Sequence, residues 1–205
     1  MTGTRSIPGL KARAFCGPSV SSAFVTIRPG AADDVESIAE LHTESWRTAY
    51  AGIMPADYLD GPLLAINLEL WQARIDSERY LNGGPPSCLL VAEGGDQAVT
   101  AFAYLTPQRD DRILLDNLHV RPGSKRSGIG RRLMVRGLGW AAEHHPDQPV
   151  YLDVLRDNTP ARAFYERMGG STSRAYVERF HAGFELDMLE YTWSPAAVQE
   201  FTGAR

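Results

Sequence analysis

Cysteine is nearly missing from this chain. Cys16 and Cys88 are the only two in 205 residues, too few for a disulfide framework or a Cys-rich zinc site. Neither has a histidine at a recognisable spacing, so an acyl-cysteine intermediate is disfavoured. The histidines bring no metal signature: His144 and His145 close a predicted helix, where partial positive charge suits the dipole. No His-Glu-x-x-His or Cys/His pattern indicates a metal, and none is expected. No apolar run approaches the roughly 20 residues needed to cross a bilayer. Residues 1–23 also lack the apolar core of a secretion signal, so the expectation is a cytoplasmic protein without membrane partners. Large basic clusters are absent and the net charge is −4. That balance argues against nucleic acid as a partner and is compatible with a cationic one.

What is present is a chain with 43% hydrophobic residues, enough for one domain with a substantial core. Residues 1–23 mix Gly, Pro, Ser and basic residues without periodicity and are expected to be a flexible extension. The domain is expected over 24–193, with 194–205 as a tail. A first strand is expected at 24–28, followed by an N-cap at Asp33 with Glu36 three positions on. Val35, Ile38, Ala39, His42, Trp46, Ala49 and Tyr50 recur at helical spacing. The turn Gly52-Ile53-Met54-Pro55 ends that helix, and a second is expected over 62–75. Strands follow at 88–93, 98–105 and 113–120, the first two joined by Gly94-Gly95-Asp96-Gln97. A helix over 131–144, a strand over 149–155, and a helix over 160–168 with Thr159 as N-cap and Gly169 as stop come next. Strands at 171–177 and 185–192 close the pattern as a hairpin.

Between the third consecutive strand and the 131–144 helix stands Lys125-Arg126-Ser127-Gly128-Ile129-Gly130, then Arg131. Two glycines let backbone approach a phosphate closely, and a following helix directs unpaired N–H groups and its positive dipole end at the anion. Read alone, the segment is equally an ordinary turn with solvated basic residues. A Walker loop is disfavoured by the lack of a terminal Gly-Lys-Ser/Thr, and a Rossmann turn by the missing three-glycine spacing and βαβ repeat. The second informative segment is 150–169, where Val-Tyr-Leu-Asp-Val-Leu leads through Asn158-Thr159-Pro160 into a helix bearing Phe164, Tyr165 and Glu166.

The two segments together resemble the GNAT superfamily of acyl-CoA N-acetyltransferases. The resemblance covers about residues 24 to 193 and implies an α/β (α+β) fold: a mostly antiparallel mixed sheet flanked by helices and splayed between its fourth and fifth strands. It implies acetyl-CoA as cosubstrate. Its pyrophosphate would sit on Lys125, Arg126, Ser127, Gly128, Ile129, Gly130 and Arg131, and its pantetheine arm would pair with the backbone of Leu118, His119 and Val120 as a further strand would. One of those N–H groups would polarise the thioester carbonyl. Lys125 stands where the family has Arg or Gln, which removes the bidentate planar contact. Gly170 stands where Phe is usual.

Within the same resemblance, Asn158 would contact coenzyme A, and Tyr165 would touch it as the acid for the departing thiolate. Asp116 on the strand before the cradle and Asp153, five residues before Asn158, are alternative bases acting through water. Each is equally readable as a solvated or hydrogen-bonded aspartate. Trp46 and Tyr50, in a segment similar to the family's acceptor-lining helix and loop, would contact the amine, and Tyr58 extends that wall. His42 and His119 read as packed or hydrogen-bonded histidines, with a place facing the acceptor cleft as the alternative. The activity implied is direct transfer of acetyl to a primary amine in a ternary complex, the acceptor a small metabolite or antibiotic. A protein or peptide amine is the alternative, and a non-catalytic acyl-CoA-binding module is an alternative of another class. Homodimers are common in the family, though no residue here marks an interface.

Overall fold

Seven strands form one sheet in the order β1-β2-β3-β4-β5-β7-β6. They are β1 (Thr26–Pro29), β2 (Cys88–Glu93), β3 (Val99–Pro107), β4 (Ile113–Val120), β5 (Val150–Leu155), β6 (Ser171–Arg179) and β7 (Glu185–Trp193). The computed structural model describes residues 25–80, 87–95 and 98–203. The expected extension 1–23 with Cys16, the beginning of the first strand at Phe24, and Asp96 and Gln97 of the turn after β2 lie outside those residues. Every neighbouring pair is antiparallel except β4 and β5.

β3 is an interior strand with both faces covered, which is why it reads as a nearly continuous apolar run. Ala101, Ala103 and Leu105 face one cluster, while Phe102 and Tyr104 face another. The first cluster is covered by α4 (Ile129–His144) through Leu133, Met134, Leu138 and Ala141, joined by Val198 of α6 (Pro195–Thr202). The second is covered by α1 (Val35–Ala49) and α3 (Leu63–Tyr80), whose Ile38, Leu41 and Trp71 are almost fully buried. A third cluster lies beneath the one-turn helix α2 (Ala56–Leu59), where Met54, Leu59 and Leu63 meet Leu155 and Met188.

Several boundaries differ from the sequence expectation. Asp33 does not cap α1: a 3-10 turn at Ala32–Asp34 precedes the helix, and Asp34 accepts from the Ala31 N–H at 2.8 Å while pairing with Arg28. α4 begins at Ile129, two residues before Arg131, because Gly128 adopts φ +82 and serves as its N-cap. α5 (Thr159–Arg167) is capped by Asn158 rather than Thr159, the amide oxygen accepting from the Ala161 N–H at 3.3 Å. α3 runs past residue 75 to Tyr80. The expected tail carries α6, started by the Ser194 side chain, which accepts from the Ala197 N–H at 3.2 Å, with Pro195 in its first turn. Val198 and Phe201 give that helix its apolar side, a stripe too short to stand out by periodicity.

Gly170 replaces an expected aromatic anchor, and the space is filled from elsewhere. A Cβ at Gly170 would meet the Trp193 ring at 2.5 Å, and Trp193, 1% exposed, donates from Nε1 to the Met168 carbonyl at 2.8 Å. Behind α1, His42 is 2% exposed. Its Nδ1 accepts from Trp71 Nε1 at 3.3 Å, and its Nε2 has no hydrogen-bond partner among the described residues. Burial, reinforced by the Arg74 cation, pushes its pKa down from 6.5 to about 4.

Two stability predictions follow from these contacts. Gly170→Ala forces the indole from its seat and is expected to lower unfolding free energy by about 1–3 kcal/mol, read from denaturant midpoints. An unchanged midpoint would mean that Trp193 has room to move. For His42 the folded pKa lies below the unfolded one, so the unfolded chain binds the proton first. Its stabilising share is complete above pH 6.5 and is lost as pH falls toward 4, a loss of roughly 3 kcal/mol at most. Urea unfolding at a series of pH values should show that slope, shallower in His42→Gln; equal slopes would assign the acid loss to other groups.

Candidate active site at the strand splay

β4 and β5 pair only through Ile113 with Val150 and Leu114 with Tyr151. β4 then continues to Val120 and β5 to Leu155 without a shared ladder, so the β5-facing edge of β4 opens as one side of a V. A bulge marks the point of departure. Leu115 opposes Leu105 and Asn117 opposes Tyr104, leaving Asp116 as the extra residue. Arg74 of α3 holds this bulge, forming an ion pair with Asp116 and donating to Asn117 Oδ1 at 2.6 Å. Its guanidinium lies 4.7 Å from the centroids of both Trp71 and Tyr104. Asp116 is thus committed to a cation. Sequence reasoning passed over Arg74 because its partners are 42 and 43 residues away.

Along the open edge, Leu118 and Val120 pack into the α4-side cluster while His119 turns to the α1 side. His119 Nδ1 lies 2.9 Å from Ser45 Oγ, and its ring centroid is 4.7 Å from that of His42. Burial, then the neighbouring His42 and Lys125, holds its pKa well below the ordinary imidazole value. Both rings are therefore neutral near pH 7.

The cradle lies where β4 ends. Arg126 (φ +65) and Gly128 (φ +82) are both left-handed, and Ser127 Oγ donates to the Ser124 carbonyl at 2.6 Å. The first intrahelical bond of α4 comes from the Arg132 N–H, to Gly128. The N–H groups of residues 126–131 donate to no described residue, leaving a run of donors at a helix N-terminus. Buried Ile129 pins the turn while Lys125, Arg126, Ser127 and Gly128 stay exposed. A Cβ on Gly130 would come within 3.4 Å of Val120, closing the gap between helix and strand. These residues fit the pyrophosphate of a coenzyme A substrate: clustered donors, positive side chains, and backbone uncovered by side chains. Arg131 lies 5.9 Å from the Phe201 ring.

On the β5 side of the opening, the chain continues into α5, which carries Tyr165. Its ring is held among Phe164, Tyr191 and Trp193, at centroid separations of 5.4, 6.2 and 6.3 Å. The Tyr191 hydroxyl donates to Glu166 at 2.6 Å, tying α5 to β7. Burial, then Tyr50, raises the Tyr165 phenol above its ordinary value, and burial pushes Tyr50 up to about 12. Protein surrounds Tyr165, Tyr50 and His119, yet each keeps some accessible surface, as groups lining a cleft do. Trp46 stands beside Tyr50 at 5.4 Å, and both pack against the cluster beneath α2.

Asp153 lies on β5, in register with Glu190 of β7. Its side chain is exposed, yet partial desolvation raises its carboxyl pKa against the opposing effects of the Tyr176 hydroxyl, Arg174 and Arg112. Tyr176 is a further residue the sequence did not single out, since strand pairing alone brings it here. Asn158, the α5 cap, is only partly exposed, its side-chain oxygen already used by the Ala161 N–H.

The chain and its fold have known counterparts. The chain is 28% identical to the uncharacterized N-acetyltransferase YuaI of Bacillus subtilis, over 83% of this chain and 93% of that protein. The crystal structure of the PaiA N-acetyltransferase from Thermoplasma acidophilum in complex with coenzyme A superposes with a TM-score of 0.63 at 22% identity, covering 83% of this chain and 99% of that one. YncA from Salmonella typhimurium, described as a putative acetyltransferase and solved with its cofactor acetyl-CoA, gives 0.60 at 18% identity over 84% and 95%. The family model described as acetyltransferase (GNAT) matches residues 36–170, two thirds of the sequence, and the chain belongs to that family.

Proposed function

We propose that this protein transfers the acetyl group of acetyl-CoA to a primary amine by direct attack, with a small molecule as the acceptor. The reading is supported by the early parting of β4 and β5, together with two largely buried phenols, Tyr165 of α5 and Tyr50 at the C-cap of α1, close enough for Tyr50 to raise the Tyr165 pKa. The free N–H groups of residues 126–131 at one end of that gap support pyrophosphate binding there. Backbone of Leu118, His119 and Val120 takes the pantetheine arm, and a β4 N–H polarises the thioester carbonyl.

In this reading the acceptor ammonium first loses a proton to water beside Asp153. Asp116 is less suited to that task because Arg74 already holds its carboxylate. The neutral nitrogen then bonds to the acetyl carbonyl carbon. As the carbon–sulfur bond breaks, sulfur takes the Tyr165 proton, and the proton shed by nitrogen restores the phenol. The raised Tyr165 pKa keeps the hydroxyl protonated at neutral pH, so a hydrogen bond to sulfur is available as negative charge builds. Neither cysteine enters, Cys88 being buried in β2.

Tyr165→Phe is expected to bind coenzyme A normally while lowering kcat by about 10²-fold. Thiol release from acetyl-CoA across a panel of amines, with calorimetry in parallel, measures both quantities. Undiminished turnover would remove the phenol from the chemistry, and tight binding without turnover would favour an acyl-CoA-binding module. Gly128→Glu places a strained side chain and a negative charge at the cradle. Coenzyme A affinity should fall on the order of tenfold or more, and intact affinity would contradict the pyrophosphate assignment.

A further inference from the structure

The two edge strands of the sheet, β1 and β6, are guarded differently. β1 spans four residues and ends in Pro29, whereas β6 runs for nine without a proline and is exposed on both faces, Tyr176 alone being half-buried. Val177 of β6, 58% exposed, is among the most open large apolar side chains of the described residues. The hairpin that follows fixes which backbone groups of β6 are unused. The Phe180 N–H donates to the Phe184 carbonyl at 2.9 Å. Bonded and unbonded pairs alternate along an antiparallel ladder, so Glu178, Tyr176 and Arg174, opposite Leu186, Met188 and Glu190, direct their N–H and C=O groups to β7. The Arg156 N–H donates to the Asp187 carbonyl at 2.8 Å from the other side of β7, in keeping with that alternation. Ala175, Val177 and Arg179 therefore present their backbone groups outward, at the edge of the sheet.

We propose that this edge is the interface of a homodimer, in which β6 pairs antiparallel with β6 of a second copy about Tyr176. In a twofold pairing each residue meets its counterpart reciprocally, and outward-facing backbone must oppose outward-facing backbone. That leaves only registers centred on a residue rather than between two. Side chains then choose among them. Centring on Tyr176 sets Arg174 opposite Glu178 of the second copy, and Glu178 opposite its Arg174, on one face of the joined sheet. On the other face Ala175 and Val177 meet the second copy's Val177 and Ala175, covering the exposed apolar surface. A centre at Arg174 or Glu178 opposes like charges, and one at Ala175 or Val177 leaves both charges without a counterpart. The groups concerned are available: Glu178 is exposed, and Arg174, its side chain 58% exposed, lies 3.6 Å from Glu190. Tyr176 packs inward against the cluster beneath α2, its hydroxyl bonded to Asp153. Residues 1–24, another segment that could cover an edge, enter the fold at β1, on the opposite side of the sheet.

The test is sedimentation velocity of the full chain over a concentration series, with hydrogen exchange of the segment 171–179 followed alongside. A monomer–dimer equilibrium is expected, the amides of Ala175, Val177 and Arg179 exchanging more slowly as the dimer forms. Val177→Pro removes an outward donor without taking a bond from the β6–β7 ladder, and should raise the dimer Kd about a hundredfold or more. Glu178→Arg turns both ion pairs into repulsions and should raise the Kd about tenfold at low salt and less at high salt. Far-UV circular dichroism checks that each variant keeps the fold, and Glu178→Arg, at an exposed position, carries the test if Val177→Pro does not fold. A wild-type chain that stays monomeric would overturn the proposal, whether its edge amides exchange fast, as in a strand left open for a peptide, or slowly, as under residues 1–24. A dimer indifferent to both substitutions would put the interface elsewhere and overturn it as well.

Discussion

Parallel strands normally continue their ladder until one of them ends, because an unpaired backbone N–H or C=O inside a sheet has lost water and gained nothing. Here β4 and β5 share two residue pairs and then separate, with six more residues of β4 and four of β5 beyond the last pair. The arrangement persists because each strand is secured on its other side. β4 is paired along its length with β3, and β5 with β7, so the sheet remains continuous around the gap. Arg74 adds a local constraint by gripping the bulge at Asp116 and Asn117. The gap is thus held open by the pairings that flank it, and it leaves part of the β4 edge without a neighbouring strand.

The walls of this gap are unusually dry for a site expected to handle charge. His42 and His119 are held neutral by burial, Tyr50 and Tyr165 are held protonated by it, and the aromatic cluster beneath α2 supplies apolar surface. In such surroundings a charged group exerts a stronger field than it would in water. Asp153 stands apart from these walls, exposed on β5 in register with Glu190 and acted on by Arg174 and Arg112. The cradle is the opposite environment, with exposed basic side chains and free backbone donors suited to a ligand that brings its own negative charge.

The parts legible in the sequence are those encoded by neighbours. Gly128 and Gly130 stand next to the helix they start, and Tyr165 stands in the same short segment as Asn158. Periodicity likewise exposed the strands, β3 included, although burial on both faces blurs alternation there. Parts assembled from distant residues were not legible. Arg74 meets Asp116 and Asn117 through the packing of α3 on β4, and Tyr176 reaches Asp153 only once β6, β7 and β5 have taken their register. The same holds at Gly170, where local sequence indicates a lost anchor and Trp193 provides another from the end of β7. Short elements failed for a different reason: one turn of α2 and two turns of α6 contain too few apolar positions for a repeat to emerge.

The Trp193 contact also orders events in time. During synthesis β4, the cradle and α4 are available as soon as residue 144 has emerged, and α5 follows by residue 167. Its Tyr165 ring, however, rests against Tyr191 and Trp193, and the Met168 carbonyl that ends the helix receives its hydrogen bond from Trp193. A nascent chain therefore contains all of the cradle residues before the phenol has a fixed place. The Tyr165 ring gains its last aromatic neighbour only with Trp193, the final strand residue of the fold.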